Sequence, residues 1–85
     1  MKQGPLIHNN QYAVLMVDGA TGHVLTTKEN LYLGDESEVY TICENIEEAR
    51  IFIKEKQRRN DTLECVVYNS KYDFVERWEA IKWKK

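Results

Sequence analysis

The chain has 85 residues, of which 31% are charged and 42% hydrophobic, and its formal net charge is −2. This length allows one domain, and a single proline with four glycines argues against a disordered or linker-like chain. Acidic residues cluster from Glu29 to Glu48, whereas basic residues predominate from Lys54 to Arg59 and in the closing stretch Lys82-Trp83-Lys84-Lys85. The acidic half disfavours a purely electrostatic nucleic-acid binder, and the uneven charge suits a partner patch of opposite sign.

Residues 1–10 are polar with little pattern, so we expect a mobile arm ahead of a single domain over residues 11–85. Tyr12–Val17 is a continuous apolar run, which is typical of a strand covered on both faces. The turn residues Asp18–Gly22 and the following His23–Thr27 predict a hairpin, in which Gly22 supplies a positive φ. Residues 28–37 fit equally well a loop with a short strand or a helical turn.

The stretch after this region predicts a strand followed by a capped helix. Val39–Cys43 alternates between two faces. Asn45 can cap the next helix, and Glu48 three positions later completes a capping box. The helix is predicted from Ile46 to about Arg59, because apolar residues recur at helical spacing on one face. They are Ile46, Ala49, Phe52 and Ile53, and the stem of Lys56 lies beside them.

Two strands close the pattern. Leu63–Tyr68 alternates with Leu63, Cys65 and Val67 inward, and Phe74–Trp78 returns after the turn residues Asn69–Asp73. Strict alternation places Phe74 and Trp78 on one face with Glu76 between them. Residues 79–85 could extend this strand or form a short helix.

These elements predict an α+β fold in the order β-β-β-α-β-β. We expect an antiparallel or mixed sheet of four to five strands with one main helix packed on one face. The link from Val39–Cys43 through the helix to Leu63–Tyr68 allows either a parallel crossover or an antiparallel placement, so the strand order stays open.

The residues that could carry chemistry do not form a recognisable reactive set. The candidates for a nucleophile are Cys43 or Cys65 with His8 or His23 as the base. His8 lies in the expected mobile arm, where nothing would fix its geometry, and His23 begins a strand directly after a turn, which is usually a solvated position. No metal-ligand spacing is present, so we expect no metal. We also expect no catalytic residue and no cofactor. The opening residues lack the apolar core of a secretory signal and no run is long enough to span a membrane, so we expect a cytoplasmic protein with reduced, buried thiols.

One side of the helix suggests a protein-interaction surface. Ile51 projects roughly opposite Ile53, among charged residues. The expected surface consists of Ile51, Lys54, Glu55 and Arg58, with Trp78. The function hypothesis is a small non-enzymatic interaction module that forms a homodimer or binds a protein partner, with no small-molecule ligand indicated.

Binding of single-stranded nucleic acid is the alternative hypothesis. Aromatic side chains can stack on unpaired bases while basic side chains neutralise phosphates. The sequence offers aromatics in the second hairpin and basic residues at the helix end and tail, and the expected contacts are Arg59, Tyr72, Lys82, Trp83 and Lys84.

Overall fold

The structure, a computed structural model, describes residues 6–34 and 38–83. Within them, five strands form one antiparallel open sheet with a single helix packed against it, which confirms the predicted α+β class and element order. A short 3-10 turn follows the last strand. The elements are β1 (Tyr12–Asp18), β2 (Val24–Leu25), β3 (Tyr40–Cys43), α1 (Ile46–Arg59), β4 (Leu63–Tyr68), β5 (Phe74–Trp78) and the 3-10 turn Ile81–Trp83.

β1 is the centre of the sheet. β4 pairs along one of its edges, and β2 and β3 lie end to end along the other, where Met16 pairs with Leu25 and Tyr12 with Cys43. β5 adds to the outer edge of β4. Because β3 and β4 are both antiparallel to β1, they run parallel to each other. The link through α1 is therefore a crossover that passes over the intervening β1.

The hydrophobic core lies between α1 and the sheet face that it covers. Asn45 begins the helix as predicted, since its side-chain oxygen accepts a hydrogen bond of 2.8 Å from the backbone N–H of Glu48. Ala49 and Ile53 are fully buried against the sheet. The buried side chains that meet them from the strands are Val14, Met16, Leu25, Cys43, Leu63, Cys65 and Val67.

Gln57 is a buried polar residue of this helix that the periodicity did not single out. Its Nε2 donates hydrogen bonds to the carbonyl oxygens of Leu63, at 3.0 Å, and Glu79, at 2.8 Å. One side chain thus ties the end of the helix to the start of β4 and to the segment after β5. The bonds satisfy polar groups that burial would otherwise leave unpaired.

The second face of β1 differs from the expectation. α1 covers only the face that carries Val14 and Met16, and no second layer of the described residues covers the face that carries Leu15 and Val17, which are half-buried. β1 has strand neighbours on both edges, and the side chains of its apolar run point to both faces of the sheet.

The first hairpin is confirmed, but its second strand is shorter than predicted. β2 is confined to Val24–Leu25, because the chain turns at Thr26, whose N–H donates to the carbonyl of Asn30 at 2.7 Å. Gly22 has the expected positive φ, 78°. Leu31 returns to form an isolated bridge with Leu25, so of the alternatives for residues 28–37 the described part is a loop with one bridge. Residues 35–37 lie outside the described residues.

The placement of Phe74 and Trp78 on one face was wrong. A bulge interrupts the β4–β5 ladder: Glu76 pairs with Val67, but Phe74, not Val75, pairs with Tyr68. The extra residue shifts the alternation, as a bulge does. Phe74 is consequently exposed, whereas Trp78 packs beside the core.

At the two ends of the chain the structure describes only part of what was predicted. The tail forms the short 3-10 turn, not an extension of β5, and residues 84 and 85 lie outside the described residues. Of the expected N-terminal arm, residues 6–10 are described, and the N–H of Gln11 donates to the carbonyl of His8 at 3.0 Å. Among the described residues, no helix has both the length and the apolar character that a membrane crossing requires.

Candidate interaction surface

The sheet face opposite α1 is the candidate site, and we call it the open face. Side chains alternate along each strand, so the pairing register fixes which residues share this face. Its members are Ala13, Leu15, Val17, Val24, Tyr40, Ile42, Glu64, Val66, Tyr68 and Arg77. Of these, Ala13 is buried, Arg77 is exposed and the others are half-buried.

The centre of the open face is aliphatic. Leu15 pairs with Val66 on one side and with Tyr40 on the other, and Val66 pairs in turn with Arg77. These four residues form one row across all four columns of strands. Leu15 and Val66 are half-buried, and no second layer of the described residues covers them. The centre of the row is therefore apolar surface that a partner could contact.

A cluster of three tyrosines occupies one end of the open face. Ring centroids are 6.2 Å apart for Tyr40 and Tyr68, 5.2 Å for Tyr40 and Tyr72, and 6.5 Å for Tyr68 and Tyr72. The first two contacts are edge-to-face, the geometry that aromatic quadrupoles favour. Burial raises the pKa of Tyr40 and of Tyr72, and the neighbouring tyrosine raises each further. The cluster spans β1, where Ala13, a residue with a small side chain, pairs with Tyr68.

The turn between β4 and β5 holds Tyr72 in this cluster. Tyr72 has a left-handed backbone, φ 63°, which costs a residue with a side chain of this size on the order of 1–3 kcal/mol. The side-chain oxygen of Asn69 stabilises the turn by accepting hydrogen bonds from the N–H groups of Lys71, at 2.8 Å, and Asp73, at 3.0 Å. The turn therefore keeps an uncommon conformation that places the Tyr72 ring against Tyr40.

The described charges of the open face nearly cancel. An Nη of Arg77 donates to Glu64 at 2.9 Å, and its other Nη lies 4.0 Å from Glu79. The hydrogen bond to Glu64 raises the pKa of Arg77. Trp83 lies at the end of the open face that carries Glu64, since a side chain added at Gly19 would meet both the Trp83 ring and the Glu64 side chain.

The predicted helix surface is only partly brought together. Ile51 is 67% exposed on the outward side of α1, where Lys54 is exposed as well. Glu55 pairs with Arg58 within this patch, and the hydrogen bond from Arg58 lowers the pKa of Glu55. Trp78 does not belong to it: the indole packs beside the core and its Nε1 donates to Glu76 at 3.2 Å. The patch thus consists of one apolar side chain among charges.

The residues of the nucleic-acid hypothesis are separated as well. Tyr72 follows the end of β4, whereas Trp83 lies near Gly19, beside the start of that strand. β4 spans six residues, so these two aromatics are roughly 17 Å apart along the strand. Arg59 and Lys82 are exposed, and Arg59 lies 3.7 Å from Glu55. Lys84 lies outside the described residues.

The two thiols are buried and free. Burial raises the pKa of Cys43 to about 11 and that of Cys65 to about 12, with nearby carboxylates adding to the shift. His8 and His23 are exposed, whereas both thiols are buried in the core. Within residues 6–34 and 38–83, no group of three or more His, Cys, Asp or Glu side chains could hold a metal ion.

No protein-family model, curated protein sequence or solved structure matches the chain.

Sequence reasoning missed most of the open face, although the sequence carries a signal for it. Tyr12–Val17 is apolar at both odd and even positions, and Leu63–Tyr68 is nearly so. A single predicted helix can cover only one face of the strands that carry these residues. The apolar residues on the face that the helix does not cover, which include Leu15 and Val66, therefore predict a second apolar surface that could bind a partner.

Proposed function

We propose that the protein is a non-enzymatic protein-binding module whose binding surface is the open face. The observation that carries this proposal is an aliphatic sheet face, bordered by a tyrosine cluster, without a second layer of described residues. Protein interfaces favour such a composition, with apolar and aromatic side chains at the centre and charges near the rim. The strained turn at Tyr72 supports it, because backbone strain is concentrated at functional positions.

The outward side of α1 is the weaker candidate for this role. Ile51 is its exposed apolar residue, and its neighbours Glu55 and Arg58 already form an ion pair. A single exposed isoleucine is normal on a protein surface. We therefore expect a charge at Ile51 to have little effect on binding.

Single-stranded nucleic acid is a second candidate because the tyrosine cluster could stack on bases. The electrostatics favour a protein instead: Glu64 neutralises the guanidinium of Arg77, and the exposed Arg59 is a residue of α1, the layer on the other side of the sheet. Titration with single-stranded RNA and DNA at low salt tests this candidate, since a phosphate-dependent contact is strongest there. Saturable binding that weakens with salt and with Tyr40→Ala would support the nucleic-acid candidate.

We also propose a cytoplasmic location, which the two free thiols support. Cys43 and Cys65 are buried and unpaired with each other. Free buried cysteines are usual in a reducing compartment. Microscopy of the tagged full chain tests this location.

Site-specific photo-crosslinking tests the binding surface. A benzophenone amino acid replaces Phe74, which pairs with Tyr68 at the border of the open face and is 64% exposed. The matched control carries the same group at Ile51, which is 67% exposed. We expect irradiation in cells to yield discrete protein adducts from position 74 and few from position 51. Equal adduct yields, or adducts with nucleic acid alone, would contradict the proposal.

A further inference from the structure

We infer that the open face binds a second copy of this chain, so that two sheets pack face to face around a two-fold axis. The inference rests on the proposed function and names the partner of the same surface. Three properties of the open face carry it: the order of side chains in its central row, the balance of its charges and its size.

The central row is self-complementary. It reads Tyr40, Leu15, Val66, Arg77 across the strands. A two-fold axis parallel to the strands reverses the order of the strands and keeps the row, as in any isologous interface. Leu15 then faces Val66 of the second copy, and Tyr40 faces Arg77 of the second copy. The centre is apolar, and at each end a guanidinium meets a tyrosine ring, which is an attractive pair.

The charges of the face do not oppose this arrangement. Reversal of the strand order keeps Arg77 away from the Arg77 of the second copy. Each Glu64 keeps its own Arg77 at 2.9 Å and, one row from the centre, faces Val17 of the second copy near the rim. A strongly charged face would repel its own copy, and a basic one would favour nucleic acid instead.

The size of the face suits a dimer of modest affinity. The ten side chains of the face, on strands about 4.8 Å apart and in rows about 7 Å apart, cover on the order of 340 Å². The rim residues Tyr72, Phe74 and Trp83 raise this to on the order of 450 Å² per copy. Both copies together then bury about 900 Å², the size of a weak or transient interface. Aligned sheets pack about 10 Å apart, a spacing that side chains of these sizes can fill.

Pairing through the outer edge of β5 is less favourable. The bulge at Val75 disrupts the ladder there, and Arg77 lies exposed on this strand. Bulges and charged side chains are features that protect an edge strand from pairing. The open face is therefore a more favourable surface for a second copy than the β5 edge is.

Sedimentation of the full chain over about 1 μM to 1 mM tests the inference. We expect reversible dimerisation of the wild type. Val66→Lys should weaken association about 10-fold or more, since it places a charge at the centre of the contact. The matched control Ile51→Lys introduces the same charge at an exposed position of α1 and should leave the dissociation constant unchanged. Circular dichroism and thermal unfolding check that both variants fold.

Val66→Thr provides a second variant if Val66→Lys does not fold. Threonine keeps the β-branched shape but replaces one methyl group by a hydroxyl, so it should weaken association measurably while preserving the strand. A monomeric wild type at 1 mM would overturn the inference, as would dimerisation that Ile51→Lys weakens and the Val66 variants do not. A monomer that still yields adducts with other proteins from position 74 would overturn the dimer and support the proposed function. Loss of both would overturn both.

Discussion

Replacement of Gln57 by methionine should destabilise the fold more than its small change in volume suggests. Methionine keeps the length of the side chain but removes the N–H donors that bind the carbonyls of Leu63 and Glu79. At about 1 kcal/mol net for each hydrogen bond, the loss is about 2 kcal/mol, and it increases if the buried Leu63 carbonyl finds no other donor. A domain of this length has roughly 4–13 kcal/mol of stability in total. The expected decrease in melting temperature is roughly 8–16 °C.

Urea denaturation followed by tryptophan fluorescence measures this change, with Arg58→Leu as the control. Arg58 is exposed on the same helix, and its ion pair among the described residues is the exposed one with Glu55, so its replacement should change stability by less than about 0.5 kcal/mol. Gln57→Glu adds a second test, because its carboxylate would face two carbonyl oxygens at neutral pH. That environment raises the pKa of the new carboxyl group, so this variant should regain stability as the pH falls and the group becomes a donor.

The result that would refute the reasoning is a Gln57→Met protein as stable as the wild type. In that case the two hydrogen bonds would contribute no net stability, and apolar packing alone would hold the helix end. A Gln57→Glu variant whose stability does not improve on acidification would contradict the assigned contacts of the side chain.

Three further predictions concern other parts of the fold. Arg50 of α1 donates a hydrogen bond of 3.0 Å from its guanidinium to Glu76, which lowers the pKa of Glu76. The contribution of Glu76 to stability is therefore present above the ordinary carboxyl pKa of about 4.3 and is lost as pH falls through the lower folded value, so Glu76→Gln should flatten the acid limb of stability against pH. Gly19→Ala should lower the melting temperature, because the new Cβ would lie 2.6 Å from the Thr62 carbonyl oxygen; equal melting temperatures would show that the backbone yields without cost. Burial raises the pKa of Cys43 to about 11 and of Cys65 to about 12, so alkylation at pH 8 should be slow and should follow unfolding in urea; rapid labelling of the native protein would contradict their burial.

Local rules account for the elements that the sequence predicted correctly. The capped start of α1 at Asn45, the positive φ of Gly22 and the alternation of Leu63–Tyr68 each depend on residues within a few positions of one another. Hydrophobic periodicity also predicted that one helix would cover one sheet face. Those features follow from short-range sterics and hydrogen bonding, which the amino-acid order specifies directly.

Only the tertiary structure decided which surfaces remain uncovered and which polar residues are buried. Periodicity cannot show that a bulge at Val75 separates Phe74 from Trp78, because the bulge depends on the partner strand. Nor can it show that Gln57 is buried, since a glutamine is buried only where distant carbonyls accept its hydrogen bonds. The open face, with Leu15 beside Val66, arises from strand pairing between segments about fifty residues apart in the chain. Such contacts depend on the order of strands in the sheet, which local sequence leaves undetermined.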